Sequence, residues 1–285
     1  MPNGALEKFV ASCYDFKYNG VVCMDYTDMR TESHVQSVAR SLQIMELLAE
    51  ENREMTLTEI ADRLEWPKST VHGILATLRD YRFVDQSSQN GRYRLGIRLF
   101  EMGHKVARNW EIRELAFPVM HKLNRQFNEM VQLATEDAGE VLYIEKVDST
   151  NIIRIVSEIG ARLPMHCSGL GKALLAHMLP AEVKNILTRR GMREMTRHTI
   201  TNQAEMADEL TRIRKQGYAV DNQEIMEGLR CVAAPIRDRN GVVRYAISVS
   251  GLSERIAGDF FEKVRDAVTD AAAEISRLMG YKGDP

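Results

Sequence analysis

The sequence predicts an α+β protein with an N-terminal winged helix-turn-helix, a helical linker and a C-terminal domain built on an antiparallel sheet. Three helical patterns of apolar residues follow one another between residues 34 and 80, and a hairpin pattern comes directly after them. Two groups of alternating strands, separated by helices, then occupy the second half of the chain. The 285 residues, 44% of them hydrophobic, are sufficient for two domain cores.

The composition excludes several classes of protein. No apolar run approaches the roughly 18 residues that a membrane-spanning helix needs, and the first thirty residues lack the basic start and apolar core of a signal peptide. The four cysteines show no CxxC spacing, which argues against a zinc ribbon and fits a reduced compartment. We therefore expect a cytoplasmic protein without membrane contact, metal or cofactor. Residues 1–33 are interpreted as a disordered extension, and Met24 or Met29 is a candidate natural start.

The first helical pattern begins near His34. Its apolar residues recur at intervals of four, three and four, which places them on one side of a helix. We expect this stripe to be buried, and it comprises Val38, Leu42, Met45 and Ala49.

The next two helices are marked by their start signals. In "TLTEIADRL", Thr56 can cap a helix while Glu59 reaches back, which is a capping box. Pro67 cannot continue that helix but can open the next one. The buried faces are predicted from the i, i+3, i+4, i+7 spacing as Leu57, Ile60, Ala61 and Leu64, and then as Val71, Ile74, Leu75 and Leu78.

The segment "RFVDQSSQNGRYRLG" predicts the wing, because two short extended runs flank a Ser/Asn/Gly turn. Between Lys68 and Arg98 there are six basic and two acidic residues, a net charge of +4 in a chain whose total is -2. The positive charge is thus concentrated where a winged helix would meet nucleic acid.

The third helix, in "WPKSTVHGILATLRD", carries small polar residues on the face opposite its apolar stripe. Small side chains permit close approach to a surface such as the major groove of DNA. Protein contact through the same fold is the alternative, and His72 could be a plain surface residue. The predicted DNA-contacting residues are Lys68, Ser69, Thr70, His72, Thr77, Arg79, Arg92 and Arg94.

We place the winged domain at residues 34–97, a linker helix at 98–110 and the second domain at 111–281. The second domain opens with an apolar helical stripe at Ile112, Leu115, Val119 and Leu123, which we consider, together with the first helix, for contact between subunits. Strands are predicted in "MVQLATED", "VLYIEKVD", "NIIRIVSE", "RCVAAPIRD" and "VVRYAISVSG", with helices over residues 171–178, 203–216 and 254–278.

The stretch "LPMHCSGLGKALLA" places Gly169 and Gly171 where an extended segment becomes a helix. Such glycines free backbone N–H groups to face a ligand, although a turn needed only for packing would show the same sequence pattern. The spacing of a phosphate-binding P-loop is absent. Further polar candidates are Asp221, Cys231, Ser248 and Ser250, with Ile155, Leu163 and Leu229 as an apolar wall.

From about Val35 to Gly280 the chain resembles the isocitrate lyase regulator (IclR) family of bacterial transcription factors. The matching motifs are "VQSVARSLQIMELL", "LTEIADRL", "STVHGILATL", "YRLG", "LPMHCSGLGKALLA" and "GLRC". The resemblance implies a winged helix ahead of a GAF-like effector domain and is closest to members that bind glyoxylate or related small acids. It places ligand contacts on the Gly169 and Leu170 N–H groups and on Asp221, Cys231, Ser248 and Ser250, lined by Ile155, Leu163 and Leu229.

Two positions depart from the family pattern. Gly73 stands where many relatives carry an arginine after "STVH", and Arg82 stands where a glycine usually precedes "FV". Gly73 lacks a donor to DNA while Arg82 can supply one nearby, so the operator sequence does not transfer from relatives.

The sequence thus predicts a ligand-responsive regulator that binds double-stranded operator DNA and senses a small carboxylate such as glyoxylate or pyruvate. The resemblance allows repression and activation, of which we expect repression, and it implies a homodimer or homotetramer. A small-acid-processing enzyme is the alternative, with Cys231, His166 and Asp221 as nucleophile, base and orienting acid.

Overall fold

The computed structural model describes residues 35–108, 110–152 and 157–283. Their contacts form two units, one ending at Trp110 and the other beginning at Glu111. The predicted N-terminal extension lies outside the described residues, and so does Ile155. The predicted α+β class, with a winged helix-turn-helix followed by an antiparallel sheet domain, is confirmed.

The N-terminal unit contains four helices and one hairpin within its described residues. They are α1 (Gln36–Glu51), α2 (Leu57–Leu64), α3 (Lys68–Asp80), β1 (Val84–Gln86), β2 (Tyr93–Leu95) and α4 (Ile97–Arg108). β1 and β2 pair antiparallel, and the backbone of Met55 bonds that of Tyr93 in both directions, at 2.9 and 2.7 Å. The wing is therefore anchored to the loop between α1 and α2.

The capping box of α2 is formed as predicted. The Thr56 N–H donates to Glu59 Oε2 at 2.6 Å, and the Glu59 N–H donates to Thr56 Oγ1 at 3.2 Å. The predicted apolar faces of α2 and α3 belong to the core of this unit.

The predicted burial of the α1 stripe is wrong. Val38 is 57% exposed and Leu42 is 49% exposed, whereas Ile44, Leu47 and Leu48 enter the core. The helix has apolar residues on two sides, and the sequence period does not state which side meets α3.

Arg82 and Gly96 adopt a close backbone arrangement between α3 and the wing. Arg82 has a φ of 64°, in the left-handed region that favours glycine. A Cβ on Gly96 would lie 2.2 Å from the Arg82 carbonyl oxygen, so no side chain fits at that position. A glycine at position 82 would adopt this conformation without strain.

The C-terminal unit is a six-stranded antiparallel sheet with helices on both faces. Its order is β5-β4-β3-β8-β7-β6. The strands are β3 (Met130–Asp137), β4 (Glu140–Val147), β5 (Arg162–Pro164), β6 (Ala219–Asn222), β7 (Leu229–Arg237) and β8 (Val243–Leu252). The helices are α5 (Glu111–Phe127), α6 (Gly169–Leu175), α7 (Pro180–Arg190), α8 (Gln203–Gln216) and α9 (Gly258–Leu278).

The long helices α5 and α9 pack on the sheet and on each other. Ile112, Val119 and Leu123 of α5 are buried in this packing. The prediction that this stripe carries the contact between subunits is therefore wrong. In the described part of the chain, no helix combines the length and apolar character needed to cross a membrane.

Candidate DNA interface and effector site

Helix α3 presents a short, polar and accessible face. Its first N–H groups receive no side-chain cap, because the residue before the helix is Pro67. The Thr70 N–H donates to the Pro67 carbonyl oxygen at 3.0 Å, so the N–H groups of Lys68 and Ser69 are the ones open to an acceptor such as a phosphate oxygen. Nothing lies within 4 Å of a Cβ built on Gly73. The predicted contact residues Lys68, Ser69, His72, Thr77 and Arg79 are exposed, and Thr70 is half-buried.

Two of these side chains already have partners. Thr77 Oγ1 donates to the Gly73 carbonyl at 3.1 Å, one helical turn earlier. Arg79 Nη1 donates to Gln86 Oε1 at 2.9 Å, which links the end of α3 to the first wing strand. The bond between Arg79 and Gln86 therefore fixes the end of the helix relative to the wing.

The predicted wing arginines face carboxylates of the same unit. Arg92 Nη1 lies 3.2 Å from Glu59 Oε2 and donates to the Glu54 carbonyl oxygen at 3.2 Å. Arg94 Nη1 lies 3.4 Å from Glu54 Oε1, and Asn90 Nδ2 donates to Glu54 Oε2 at 3.2 Å. The wing is therefore less electropositive than its arginines alone suggest.

Glu59 stays ionised at any working pH. The Thr56 N–H bond is the largest cause that lowers its pKa to about 2, followed by the bond from Arg53. Its negative charge therefore partly neutralises the positive charge of Arg92 at any such pH.

The predicted effector residues of the sheet lie in two adjacent rows across its strands. Asp221 pairs with Cys231, and Cys231 pairs with Ser250. In the next row, Ala233 pairs with Ser248. Because alternate residues of a strand share a face, Asp221, Cys231, Ser248 and Ser250 point to the same side of the sheet.

Helix α6 begins over these rows. A Cβ on Gly169 would lie 3.1 Å from Cys231 Sγ and 3.4 Å from the Asp221 N atom, so the helix start contacts the predicted polar residues. Ser168 caps α6 by accepting from the Gly171 N–H at 3.1 Å. Gly171 has a packing role, since its Cβ would lie 2.3 Å from the Met165 carbonyl oxygen.

Two of the three predicted lining residues, Leu163 and Leu229, lie within the described part of the chain. Leu163 and Leu229 belong to the same buried cluster as Leu170 and Cys231. Leu170, whose backbone N–H group is a predicted ligand contact, is buried and is the second residue of α6.

The two serines differ in their partners. Ser250 Oγ donates to Gln132 Oε1 at 3.0 Å. Ser248 Oγ is fully buried and has no oxygen or nitrogen partner among the described residues, and its polar neighbour is the Cys231 sulfur, whose thiolate it would stabilise. A buried hydroxyl without such a partner is costly, and a ligand is one way to satisfy it.

Gln132 and Tyr143 were missed in the sequence. Gln132 pairs with Ser248 across β3 and β8 and is buried. Burial raises the pKa of Tyr143 above its usual value, and a hydrogen bond from Gln132 partly opposes this. A signal for Gln132 was present in "MVQLATED", where alternation puts this amide on the same side as Met130 and Ala134.

Asp221 lies in a buried cluster of charges. Its Oδ1 accepts from the Glu224 N–H at 2.7 Å. Lys172 of α6 is 1% exposed, donates to the Val220 carbonyl at 2.7 Å and pairs with both Glu224 and Glu209. Burial is the main cause that raises the pKa of Asp221 to about 7, and the neighbouring Glu224 adds to it.

The geometry does not favour nucleophilic catalysis. Burial and the nearby Asp221 raise the pKa of the Cys231 thiol to about 12, so the thiolate is a minor species at neutral pH. His166 Nε2 bonds the Arg193 carbonyl oxygen at 2.9 Å, and desolvation lowers its pKa. Neither residue is arranged as the predicted enzyme alternative requires.

Two family models match the chain. The model described as the IclR helix-turn-helix domain matches residues 37–88. The model described as the bacterial transcriptional regulator IclR C-terminal domain matches residues 104–277.

Known proteins are similar over most of their length. The chain is 37% identical over 251 residues to the HTH-type transcriptional regulator KdgR of Dickeya chrysanthemi, covering 88% of this chain and 82% of the relative. It is 34% identical over 248 residues to the acetate operon repressor of Salmonella typhimurium, covering 86% and 90%. The crystal structure of the Thermotoga maritima IclR is 31% identical, covers 87% of this chain and all of its own, and has a TM-score of 0.74.

These matches extend across both units and carry the same order of domains. The chain therefore belongs to the IclR family, and it is a transcriptional regulator with a helix-turn-helix DNA-binding domain and a C-terminal effector domain, not an enzyme.

Proposed function

We propose that this regulator is a repressor whose affinity for its operator changes when a small carboxylate, such as glyoxylate or pyruvate, binds the C-terminal site. The name of one relative, the acetate operon repressor, supports repression as the direction of control.

On the DNA face, α3 enters the major groove. Gly73 and Thr77 let the helix approach closely, while Ser69 and Thr70 bind phosphates together with the uncapped N–H groups. Arg79, Arg92 and Arg94 contact the backbone from the wing side, and the assigned contact residues also include Lys68 and His72.

The effector part rests on one observation, the buried Ser248 hydroxyl without an oxygen or nitrogen partner beside the row of Asp221, Cys231 and Ser250. A small acid bonded to Ser248, with help from the Gly169 and Leu170 N–H groups, satisfies this hydroxyl. Five or six heavy atoms at about 1.5 kcal/mol each at most give roughly 8 to 9 kcal/mol, so we expect micromolar or weaker binding.

The assembly part concerns an exposed apolar face of the N-terminal unit. On α4, Phe100 is 70% exposed and Val106 is 57% exposed, in addition to Val38 and Leu42 of α1. Exposed apolar residues in such number indicate an interface. We assign a second copy to it, because two winged helices reading half-sites about 34 Å apart multiply specificity.

The test begins with DNA recovered from genomic fragments by the purified protein and sequenced. The same recovery with glyoxylate or pyruvate present should release the bound fragments, and calorimetry should show binding of the acid. A matched Ser248→Ala variant should bind the acid more weakly while retaining DNA.

Three results would contradict the proposal. Retention of the fragments at saturating acid would contradict the effector role, and equal heats in the wild type and Ser248→Ala would contradict the site. A Phe100→Glu variant that sediments as the wild type does would contradict the assigned interface.

A further inference from the structure

The polar groups of the effector face do not all offer the same hydrogen-bonding character. Gln132 Nε2 donates to Ser157 Oγ at 2.9 Å. The Ser157 hydroxyl in turn donates its proton to Met130 Sδ at 3.4 Å. This arrangement turns the amide nitrogen of Gln132 to Ser157 and its oxygen to Ser250. Because Ser250 donates its single proton to that oxygen at 3.0 Å, it offers a ligand only lone pairs.

Ser248 has the opposite character. Its hydroxyl has no oxygen or nitrogen partner in the described ranges, so its proton is available to an acceptor. Ser248 lies directly opposite Gln132 and Ala233 in the strand register, one row away from Ser250. A donor and an acceptor therefore stand next to each other on β8.

Asp221 extends the accepting row. It lies two strands from Ser250, with Cys231 between them, and above its pKa of about 7 its carboxylate also offers only lone pairs. The cation nearest to it, Lys172, is already paired with Glu224 and Glu209. Charge attraction by Lys172 therefore does not decide which acid is selected.

We infer that Gln132 is a specificity-determining residue of the effector site. By accepting the Ser250 proton, it makes the row of Asp221 and Ser250 an acceptor end that selects small acids carrying a hydroxyl group, namely 2-hydroxy acids and hydrated 2-oxo acids. An acid that carries only hydrogen-bond acceptors at carbon 2 would place its oxygen against a lone pair of Ser250, with no proton between them. This inference rests on the proposed effector site and narrows its ligand class.

Three acids of equal carbon number provide the test. Lactate carries a hydroxyl group at carbon 2, pyruvate carries a carbonyl group there, and propionate carries neither. Calorimetry at pH 8, above the pKa of about 7 of Asp221, keeps that carboxylate mostly ionised. We expect one enantiomer of lactate to bind the wild type about 10 to 100 times more tightly than propionate or pyruvate, because buried acceptors discriminate strongly against ligands that cannot donate to them.

The Gln132→Leu variant separates positioning from packing. Loss of the amide oxygen frees the Ser250 proton, so pyruvate binding should improve and the preference for lactate over pyruvate should fall at least about fivefold. Gln132→Glu retains an accepting oxygen and should keep the preference. Gln203→Leu, the same change at an exposed site on α8, is the control and should bind as the wild type does.

The outcomes distinguish this inference from the proposed function. If none of the three acids, nor glyoxylate, binds the wild type, the proposed effector site itself fails. If the acids bind but lactate has no advantage, or if Gln132→Leu remains folded by thermal melting and keeps the full preference, the role of Gln132 is wrong while the site stands.

Discussion

Arg92 Nη1 lies 3.2 Å from Glu59 Oε2, so a wing arginine is paired with the first turn of α2 before any DNA is present. Glu59 is itself held by the capping box with Thr56. The relationship divides the wing arginines into one that is built into the fold and one, Arg94, that is more exposed and less firmly paired.

The two arginines should therefore differ on substitution. Arg94→Ala should lower the affinity for all DNA sequences and flatten the slope of log affinity against log salt by about 0.9, as expected for one lost phosphate contact. Arg92→Ala should flatten this slope similarly. It should also lower the free energy of unfolding, because it removes the contacts to Glu59 and the Glu54 carbonyl, but only by about 1 kcal/mol or less, since these contacts are partly exposed. Anisotropy titrations at several salt concentrations and urea unfolding test both. An unchanged slope in Arg94→Ala would show that this residue does not contact a phosphate.

Glu54 should oppose DNA binding. Its carboxylate lies 3.4 Å from Arg94 and 3.2 Å from Asn90. Glu54→Gln should raise the affinity for any DNA about two- to fivefold at low salt, with a smaller gain at high salt, because the effect is electrostatic. Glu50→Gln, an exposed substitution on α1 with the same charge change, is the control. An equal gain in both variants would indicate only the net charge of the unit.

Arg82 has a backbone conformation that a glycine would adopt without strain. Its φ is 64°, and a left-handed residue other than glycine costs roughly 1–2 kcal/mol. Arg82→Gly should therefore raise the free energy of unfolding by about 1 kcal/mol while lowering DNA affinity through the lost cation. Arg82→Ala removes the same cation but retains the strain, so it should lose affinity without a gain in stability. Thermal melting and anisotropy titration measure the two effects, and a gain in stability by Arg82→Ala would point away from the backbone.

Elements with a strong local signal could be predicted, whereas the short strands β5 and β6 and the helix α7 were not. The capping box of Thr56 and Glu59 and the helix at Gln203–Gln216 needed only neighbouring residues, and both formed as expected. The buried side of α1 could not be predicted, since Val38 and Leu42 are as apolar as Leu47 and the partner decides between the two sides.

The same limit applies to the effector site. Ser248 and Ser250 share a face by simple alternation, which the sequence shows. The bond from Ser250 to Gln132 joins residues 118 positions apart, and it depends on the register of β3 and β8. Register is a property of the folded sheet, so Gln132 and the buried Lys172 were not found from spacing alone.

Gly73 should show opposite effects on folding and on DNA binding. Nothing lies within 4 Å of a Cβ at this position, so Gly73→Ala should raise the free energy of unfolding by about 1 kcal/mol through helix propensity. It should weaken operator binding, because a methyl group would hold α3 away from the groove. Thr211→Ala, at an exposed site of α8 in the C-terminal unit, also improves helix propensity and should stabilise without loss of affinity. Equal operator affinity in Gly73→Ala and the wild type would exclude close approach at this residue.

Asp221 should make stability depend on pH. Burial raises its folded pKa from 3.8 to about 7, so the folded state holds a proton that the unfolded state has lost between about pH 4 and pH 7. The unfolding free energy therefore falls as pH rises through this window, and the penalty is complete above pH 7. Asp221→Asn can still accept the Glu224 N–H bond but does not titrate.

The variant should therefore be more stable than the wild type at pH 8, by at most about 4 kcal/mol for a shift of three pKa units, and the difference should shrink toward pH 4. Urea unfolding of both proteins at pH 4, 6 and 8 measures this difference, and the comparison cancels the titration of groups that do not interact with Asp221. A stability difference that stays constant across the three pH values would show that folding does not raise the pKa of Asp221.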